Sequence, residues 1–314
     1  MNKKRYPINQ SPLYKIKGIG QLKNILQINQ NVLDRILTGN YYNVFHNTNG
    51  REIQHPYGTL AIIHKRISSL LKRIEHPDYL FSQAGKSYIL NAAKHLGNHP
   101  VVKTDISSFF RKTTYKMIQK MFYETFRCAY DISKILAKIC CYKEKHLPTG
   151  SPLSTEIAFF ASKRMFDKIN NLSKERSITT TVYVDDITCS GKHANKKFIY
   201  NIIKIIKSHG FDAKPSKTKT FPADKNKTVT GIIISGNNLL PTNSRHKKIY
   251  DTRKALKKEK DKQRLKKSLL GQLNEIRSIS KVNESIKENR DFINKNFCVP
   301  TSTSQKSGNP SGKW

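Results

Sequence analysis

Three aspartates carry the clearest chemistry in this chain of 314 residues. Asp185 and Asp186 are adjacent, and Asp105 lies near the end of a separate β-branched run upstream. Adjacent carboxylates repel each other, and a bound divalent cation is a usual means of neutralising them. If their strands are neighbours, the three carboxylates can hold two Mg²⁺ ions about 4 Å apart, which activate a 3′-hydroxyl and stabilise a departing pyrophosphate. The alternative for the adjacent pair is a polar hairpin turn, in which aspartate is common.

The sequence around the aspartates predicts how they are positioned. Residues 179–184 and 187–190 are rich in β-branched side chains and flank Asp185 and Asp186, which predicts two strands joined by a tight acidic turn. Residues 101–106 are a short β-branched run followed by aromatics, which indicates a buried strand that delivers Asp105 to a cleft.

Helices and turns are predicted between and around these strands. The spacing of apolar residues favours helices in six regions, namely 20–37 with a break around Asn29, 60–74, 87–95, 114–142, 154–169 and 196–209. Turn residues and β-branched runs predict a hairpin of 42–46 with 51–53, a turn at 147–150, and a strand at 228–234 followed by a turn at 236–238.

The charge of the chain indicates its class of partner. Lys and Arg number 58 against 22 Asp and Glu, so the net charge is +36 and the isoelectric point is near 10.0. A compact protein with this much like charge needs a polyanion to offset self-repulsion, and nucleic acid is the leading candidate. The apolar content of 37% excludes disorder over most of the length, and the length allows about two domains.

The positive charge is concentrated near the C-terminus. Residues 245–267 include 12 Lys or Arg and three acidic residues. Apolar side chains at helical spacing predict a basic helical region with one apolar stripe, formed by Leu265, Leu269, Leu273 and Ile276. A solvated charged helix face is the alternative. Residues 300–314 are rich in Ser, Thr, Gly and Pro and are expected to be disordered.

Several classes of protein are excluded by the sequence. No run approaches the roughly 18 apolar residues of a membrane span, and no apolar stretch follows the basic N-terminus as in a secretory signal. We therefore expect a cytoplasmic protein without a membrane partner. The five cysteines lack a C-x-x-C pair, and only a weak zinc-like spacing joins Cys189 to His193. Reduced and mostly buried thiols are expected at Cys128, Cys140, Cys141, Cys189 and Cys298.

Tyr183-Val-Asp-Asp186 resembles the Y-x-D-D motif of reverse transcriptases. Further motifs of that family follow the same order along residues 20–250, which chance rarely produces. They are Asp105-Ile-Ser-Ser-Phe-Phe110, Leu147-Pro-Thr-Gly-Ser-Pro152, residues 210–218 and Val229-Thr-Gly-Ile-Ile-Ile-Ser235. Two segments, Asn91-Ala-Ala-Lys-His95 and Val229-Thr-Gly231, are similar to the N-A-x-x-H and V-T-G signatures of bacterial retron reverse transcriptases.

The resemblance implies an α+β, right-hand polymerase fold. Its parts would be an N-terminal helical region with fingers at 1–100, a palm of antiparallel sheet plus helices at 101–240, a basic helical thumb at 241–299 and a disordered tail at 300–314. In this fold Asp105, Asp185 and Asp186 would be the catalytic residues and the ligands of two Mg²⁺ ions, with dNTPs as substrates.

Further site residues follow from the matched motifs. Phe110 would be an aromatic steric gate that favours deoxynucleotides, and Arg51 would grip the incoming triphosphate, as a guanidinium suits phosphate oxygens. Thr149 replaces the Gln of retroviral relatives and would contact the nucleotide, and Lys217 would act near the pyrophosphate. Taken singly, Phe110 is more often a core aromatic, and surface cations are usually only solvated.

RNA recognition is implied for the retron-like segments, at Asn91, His95, Val229, Thr230 and Gly231. Asn91 and His95 are four residues apart, so on a helix they share a face that could contact RNA edges or 2′-hydroxyls. A structural histidine and a plain core strand are the alternatives.

Together the motifs and their resemblance predict a retron-type reverse transcriptase. It would copy part of a cognate structured noncoding RNA into branched, RNA-linked single-stranded DNA (msDNA), primed from an RNA 2′-hydroxyl, in antiphage defence with a separate effector protein. Two alternatives stay open: a group II intron-like or diversity-generating reverse transcriptase, and a non-catalytic RNA-binding scaffold.

Overall fold

The chain folds as a mixture of helices and antiparallel sheets, which confirms the predicted α+β class. A computed structural model describes residues 5–258 and 262–297. The helices in these ranges are α1 (Ile19–Leu26), α2 (Gln30–Thr38), α3 (Gly58–Leu71), α4 (Tyr88–Ala93), α5 (Phe109–Lys112), α6 (Tyr115–Lys120), α7 (Tyr130–Cys140), α8 (Ser154–Lys174), α9 (Lys196–Ser208), α10 (Asn243–Lys258) and α11 (Lys262–Phe297). The strands are β1 (Tyr42–His46), β2 (Glu52–Pro56), β3 (Val101–Asp105), β4 (Thr179–Tyr183), β5 (Asp186–Ser190), β6 (Lys219–Phe221), β7 (Lys227–Val229), β8 (Ile232–Ser235) and β9 (Asn238–Pro241).

The central sheet has the strand order β4-β5-β3-β6, and every neighbouring pair is antiparallel. Helices α8 and α9 pack against each other, α8 contacts β4 and α9 contacts β3. Their buried faces join one continuous apolar core with the strands. Two smaller antiparallel sheets complete this part, a β1-β2 hairpin and a β7-β8-β9 meander.

The chain divides into two compact units, one up to Thr242 and one from Asn243 onward. In the second unit α10 and α11 form an antiparallel pair, because Arg245 pairs with Glu275 at 3.1 Å and Gln272 Nε2 donates to Thr252 Oγ1 at 3.0 Å. Of the predicted apolar stripe, Leu273 is exposed and the other three members are half-buried. The assignment of the two units as palm and thumb stays a prediction.

The predicted break between the first two helices has a local cause. The Asn29 side chain accepts a hydrogen bond from the Val32 N–H and caps α2, while Gln27 ends α1 in the left-handed backbone region. The capping residues therefore divide into two helices a segment that the apolar spacing alone would predict as one helix.

The long helix predicted at 114–142 is wrong as a single element. Helix α6 passes into a π-helical turn at Met121–Thr125, the chain leaves the helix with Arg127 at φ 56°, and α7 begins at Tyr130. Two backbone hydrogen bonds hold the break, since the Lys15 N–H donates to the Phe126 carbonyl and the Ala129 N–H to the Ile16 carbonyl. Tertiary pairing with the N-terminal segment therefore overrides helical periodicity here.

The predicted strand at 228–234 is a hairpin instead. Strands β7 and β8 pair across the two-residue turn Thr230–Gly231, whose φ angles are 44° and 74°. Positive φ at both turn residues is typical of a type I′ turn, in which Gly231 suits the conformation at no steric cost.

The four described cysteines are buried and free, as predicted, at Cys128, Cys140, Cys141 and Cys189. Cys298 and the tail at 300–314 lie outside the described residues. Within the described ranges, no helix combines the length and apolar character that a membrane span requires.

Candidate active site

The acidic hairpin places Asp185 and Asp186 in different elements. Strand β4 ends at Tyr183 and β5 begins at Asp186, so only Val184 and Asp185 form the turn. The prediction that both carboxylates lie in the turn is therefore wrong, because the register makes Asp186 the cross-strand partner of Tyr183. Val184 has a φ of 59°, a costly backbone conformation for a β-branched residue. The turn that presents Asp185 is thus strained.

Strand pairing brings Asp105 to the same end of the sheet. Asp105 is the last residue of β3 and the direct cross-strand partner of Asp186, so their side chains share a face. The Ile106 N–H donates a hydrogen bond of 2.9 Å to the Asp185 carbonyl, which ties the turn to the end of β3. The three predicted catalytic aspartates therefore lie together.

The three carboxylates repel one another, and this repulsion affects the pKa values of Asp185 and Asp186. Burial, and then repulsion from Asp105 and Asp186, raises the pKa of Asp185 to about 6, with Arg51 opposing the rise. Burial is also the main cause that raises the pKa of Asp186, which Asp105 raises further and Lys103 lowers.

Lys103 is a site residue that the sequence reading missed. It lies two residues before Asp105 on β3, so both side chains point to the same face of the strand. Burial lowers the pKa of the Lys103 ammonium, while Asp186 and, more weakly, Asp105 raise it. The period-two spacing of Lys103 and Asp105 is the signal that could have found it.

The residues present fit a magnesium site in donor chemistry. Carboxylate oxygens are the ligands that Mg²⁺ prefers in proteins, and a cation would neutralise the repulsion recorded in the raised pKa of Asp185. Among the described residues no group of three His, Cys, Asp or Glu side chains is arranged to hold a metal by itself. Substrate phosphates and water commonly complete such sites.

A cleft of about 690 Å³ opens beside the aspartates. Asp105 and Asp185 line it, whereas Asp186 is outside the lining. The four residues predicted to bind nucleotide all line the same cleft, namely Arg51, Phe110, Thr149 and Lys217. Sequence reasoning assigned no role to six other polar lining residues, which are His46, Glu52, Ser107, Ser108, Arg111 and Lys214.

Two phenylalanines of α5 have different environments. Phe109 is buried and packs against Phe166 and Phe211, with ring centroids 6.1 Å and 5.4 Å away. Both side chains line the cleft, but Phe110 is only half-buried. Ser108 precedes them with a φ of 51°, so the chain turns sharply between β3 and α5.

The loop at 147–152 is held against the β1-β2 hairpin. The Thr149 N–H donates to Gln54 Oε1 at 3.0 Å, and the Gly150 N–H donates to the Gln54 carbonyl at 3.1 Å. A Cβ at Gly150 would lie 2.8 Å from that carbonyl oxygen, so only glycine allows the close approach. The fully buried Gln54 amide, which sequence reasoning missed, therefore fixes this wall of the cleft.

The hydrogen bonds that position Arg51 and Lys217 are made by their backbone. The Arg51 N–H donates to Asn47 Oδ1 at 2.9 Å, which leaves an exposed side chain at the rim of the cleft. Lys217 ends a short 3₁₀ turn, Pro215–Lys217, which follows Lys214, whose N–H donates to the Asp105 carbonyl at 2.8 Å.

The two retron-like segments contact each other. The Asn91 Nδ2 lies 3.4 Å from Thr230 Oγ1, and the Thr230 hydroxyl donates to the Tyr88 carbonyl at 2.8 Å. Both ring nitrogens of His95 hydrogen-bond at 2.7 Å, one to Ser190 Oγ and the other to Thr181 Oγ1. We call Asn91, His95 and Thr230 the latch, because they join the β7-β8 turn to the acidic hairpin.

Asn91 and His95 do not form the exposed helix face that their four-residue spacing predicts. Helix α4 ends at Ala93, and Asn91 and His95 are buried with 1% and 0% exposure. Burial lowers the pKa of His95 to about 3, so the imidazole is neutral. Val229 is also buried, whereas Gly231 is exposed and Thr230 is half-buried. RNA binding by these residues stays a prediction, and only the turn residues are accessible.

The antiparallel sheet thus places aspartates at the mouth of a cleft that is lined by cations and an aromatic ring. The sequence profile of the family described as "Reverse transcriptase (RNA-dependent DNA polymerase)" matches residues 50–234. The chain belongs to the reverse transcriptase family, which confirms the resemblance seen in the motifs.

Curated relatives are retron reverse transcriptases. The Retron Ec86 reverse transcriptase of Escherichia coli is 30% identical over 154 residues, which cover 48% of this chain and 47% of that protein. The Retron Se72 reverse transcriptase of Salmonella heidelberg is 29% identical over 223 residues, 67% of this chain and 56% of that protein. The matches thus span about half the length of these relatives. A telomerase from Candida albicans, solved with a fragment of telomeric RNA, aligns with a TM-score of 0.47 at 10% identity, covering 65% of this chain and 47% of that one.

Proposed function

We propose that this protein is a retron-type reverse transcriptase. It copies part of a cognate structured noncoding RNA into single-stranded DNA that remains joined to the RNA (msDNA), with an RNA 2′-hydroxyl as primer. The observation that carries the proposal is the cleft in which Asp105 and Asp185 lie together with Arg51 and Phe110. The retron relatives and the contact between the two retron-like segments favour this branch of the family.

The residues of the cleft have separate roles in the proposal. Asp105, Asp185 and Asp186 would hold two Mg²⁺ ions, and the ions would supply activation of the attacking hydroxyl and charge stabilisation of the departing pyrophosphate. Arg51 binds the triphosphate of the incoming dNTP, and Lys217 lies near the pyrophosphate. Phe110 packs under the sugar and excludes a 2′-hydroxyl, while Thr149 keeps the wall of the nucleotide site in place through Gln54.

RNA recognition involves the latch and the turn next to it. The exposed Gly231 and half-buried Thr230 contact the RNA directly, whereas Asn91, His95 and Val229 support that turn from inside. The excess of positive charge supplies affinity for the phosphate backbone without specifying a sequence.

The test is to purify the protein expressed with its native flanking DNA and to sequence the copurifying nucleic acid. Sequencing before and after RNase and debranching treatment should reveal one short DNA species joined to RNA through a 2′-5′ linkage. The Asp185→Asn/Asp186→Asn variant, purified in parallel, should retain the RNA and lack the DNA.

Other outcomes would favour the alternatives. Copurifying intron RNA would indicate a group II intron-like enzyme. RNA without any DNA product, from the protein with all three aspartates intact, would indicate a non-catalytic RNA-binding scaffold. Each result contradicts the retron proposal.

The biological setting is part of the same proposal. The protein acts in the cytoplasm with a separate effector protein, in defence against bacteriophage. Phage plating efficiency should fall in cells that carry the native locus and recover when Asp185→Asn/Asp186→Asn is introduced. Unchanged plating across a broad set of phages would contradict the defence role.

A further inference from the structure

The outer face of α9 has a row of exposed side chains that the cleft does not use. Phe198, Ile199, Ile202, Ile205 and Ile206 face the core. Successive residues of a helix are rotated by about 100° around its axis, and by this geometry five exposed side chains on the other side of α9 lie within an arc of about 100°. These exposed residues, here called the α9 stripe, are Lys196, Lys197, Tyr200, Lys204 and Lys207.

The charge of the α9 stripe is uncompensated. The 13-residue helix contains no Asp or Glu. In the described ranges none of its lysines has a carboxylate within ion-pair distance, whereas Lys138 pairs with Glu144 at 2.7 Å. Lys207 helps to lower the pKa of Asp212 through its charge, but the Asp212 carboxylate is already paired with Lys112. Four like charges without a counter-charge attract a polyanion.

An exposed tyrosine lies in the middle of these lysines. The Tyr200 side chain is 57% exposed, and the Lys204 ammonium lies 4.6 Å from the centroid of its ring. This cation–π contact holds the lysine along the helix face. The Tyr200 hydroxyl adds a hydrogen-bond donor, and tyrosine and lysine are among the side chains that contact phosphates in nucleic-acid complexes.

The α9 stripe is separate from the catalytic cleft. The residues that line the cleft come from the β1-β2 hairpin, the β3-α5 segment, the loop at 147–152, the acidic turn and residues 214–217. Helix α9 packs with α8 and β3 through its apolar face, so its lysines project on the side away from the sheet.

We propose that the α9 stripe binds the sugar–phosphate backbone of a double-stranded RNA segment outside the catalytic cleft. Lys207 lies 11 positions after Lys196, so at 1.5 Å per position the stripe is about 16.5 Å long, and that length matches on the order of five phosphates of one strand. A rigid helix that presents lysines along one face suits recognition of shape and charge rather than of base sequence. The inference rests on the proposed function in one respect, namely that the bound polyanion is RNA.

The test compares two variants of equal charge. The stripe variant is Lys196→Gln/Lys197→Gln/Lys204→Gln/Lys207→Gln. The control variant neutralises four exposed lysines outside α9, as Lys17→Gln/Lys65→Gln/Lys72→Gln/Lys116→Gln. Binding of a 20-base-pair RNA duplex is measured by fluorescence anisotropy between 50 and 200 mM salt.

The stripe variant should bind the duplex about tenfold or more weakly, and its log–log salt slope should fall by about 3.6, because roughly four phosphate contacts are lost at about 0.9 each. The control should change much less. Thermal unfolding of both variants and extension of a short primed template should match the unmodified protein. Tyr200→Phe tests the hydroxyl separately and should weaken binding by a smaller factor.

Equal loss of duplex binding in the two variants would overturn the proposal, since a general charge effect would explain it. Binding to anionic lipid vesicles that depends on these lysines, with unchanged RNA binding, would overturn it in favour of a membrane surface. The duplex assay does not depend on catalysis. Absence of polymerisation would therefore refute the proposed function and leave this comparison interpretable.

Discussion

In the acidic hairpin, Asp185 is held near Asp105 with a raised pKa, and Val184 before it has a left-handed backbone. In the latch, His95 is more deeply buried, yet both of its ring nitrogens have hydroxyl partners on β4 and β5. The two regions thus lie at different places along the same pair of strands. The acidic hairpin contains strain and like charges that Arg51 and Lys103 only partly oppose. In the latch the His95 ring has both of its hydrogen bonds, although the buried Asn91 Oδ1 has no partner.

The difference shows which region contributes stability and which depends on it. A buried polar group with its hydrogen bonds made is costly to remove, because its partners are left unpaired. Clustered carboxylates and a strained turn weaken the folded state and persist only where surrounding structure holds them. We therefore expect substitutions in the cleft to reduce activity and substitutions in the latch to reduce stability.

Replacing the acidic pair should have the largest effect. In Asp185→Asn/Asp186→Asn, DNA synthesis on a primed RNA template should fall about a thousandfold or more, roughly 4 kcal/mol, because the metal ligands are lost. Without Mg²⁺ its melting temperature should be equal or higher, since repulsion with Asp105 is removed. Asp212→Asn, at an exposed aspartate paired with Lys112, is the matched control and should keep its activity. A marked loss of stability in the double variant would break the comparison.

Removing the His95 imidazole from the latch should reduce stability rather than activity. His95→Ala leaves the Thr181 and Ser190 hydroxyls unpaired in a buried site, so the free energy of unfolding should fall by roughly 2–4 kcal/mol. Urea unfolding measures this change. His193→Ala, at an exposed histidine, should change it little. An unaltered midpoint for His95→Ala would show that the latch does not support the hairpin.

Stability should fall as the pH decreases from 6.5 towards 4. Burial lowers the pKa of His64 to about 4 and that of His95 to about 3, so the unfolded chain takes up protons that the folded protein does not. The free energy of unfolding should fall by on the order of 3 kcal/mol for each histidine once the unfolded chain is fully protonated. Asp185, with its pKa raised to about 6, has the opposite sign and offsets part of the loss. Asp185→Asn should therefore steepen the acid side of the stability profile, and a shallower profile would contradict these assignments.

The steric role of Phe110 predicts a change in sugar selection. Phe110→Val should raise ribonucleotide incorporation relative to deoxynucleotide incorporation by about 10- to 100-fold, because room for a 2′-hydroxyl is gained. Single-nucleotide kcat/KM values for the two sugars measure the ratio. Phe45→Val, at an aromatic that is 49% exposed on β1, should leave the ratio unchanged. An unchanged ratio for Phe110→Val would remove Phe110 from the nucleotide site.

A substitution in the wall of the cleft should have the smallest effect. Gly150→Ala places a Cβ 2.8 Å from the Gln54 carbonyl oxygen, so the loop or β2 must shift. The expected cost is about 1–3 kcal/mol of unfolding free energy, with a higher KM for dNTPs. Gly20→Ala in α1 meets nothing within 4 Å and should be neutral or slightly stabilising. Equal stability of the two variants would show that the loop adapts freely.

Local patterns predicted much of the fold. Helix α9 was expected at 196–209 and lies at Lys196–Ser208, because its apolar residues repeat every three or four positions. The acidic hairpin was found from its β-branched flanks, and the cleft residues from motifs that keep their order along the chain. Both kinds of signal are contained in short stretches of sequence.

The features that were missed depend on contacts between distant residues. The break before α7 is held by Ile16 and Lys15, more than 100 residues away, and no pattern within 114–142 reports it. The buried orientation of Asn91 depends on Thr230 in the same way. The turn at Thr230–Gly231 was concealed by an isoleucine-rich run, although an isolated glycine inside a strand pattern is a recognisable signal.

The pairing of β3 with β5 limits how the length of this region can change during evolution. Side chains alternate between the two faces of a strand, so one inserted or deleted residue moves every later side chain to the opposite face. Asp105 and Asp186 would then no longer share a face, and the buried Val102 would leave the core. Changes of residue type are tolerated or rejected one position at a time, whereas changes of length inside these strands disable the whole site. Variation in length is expected instead in connections such as residues 222–226, between β6 and β7.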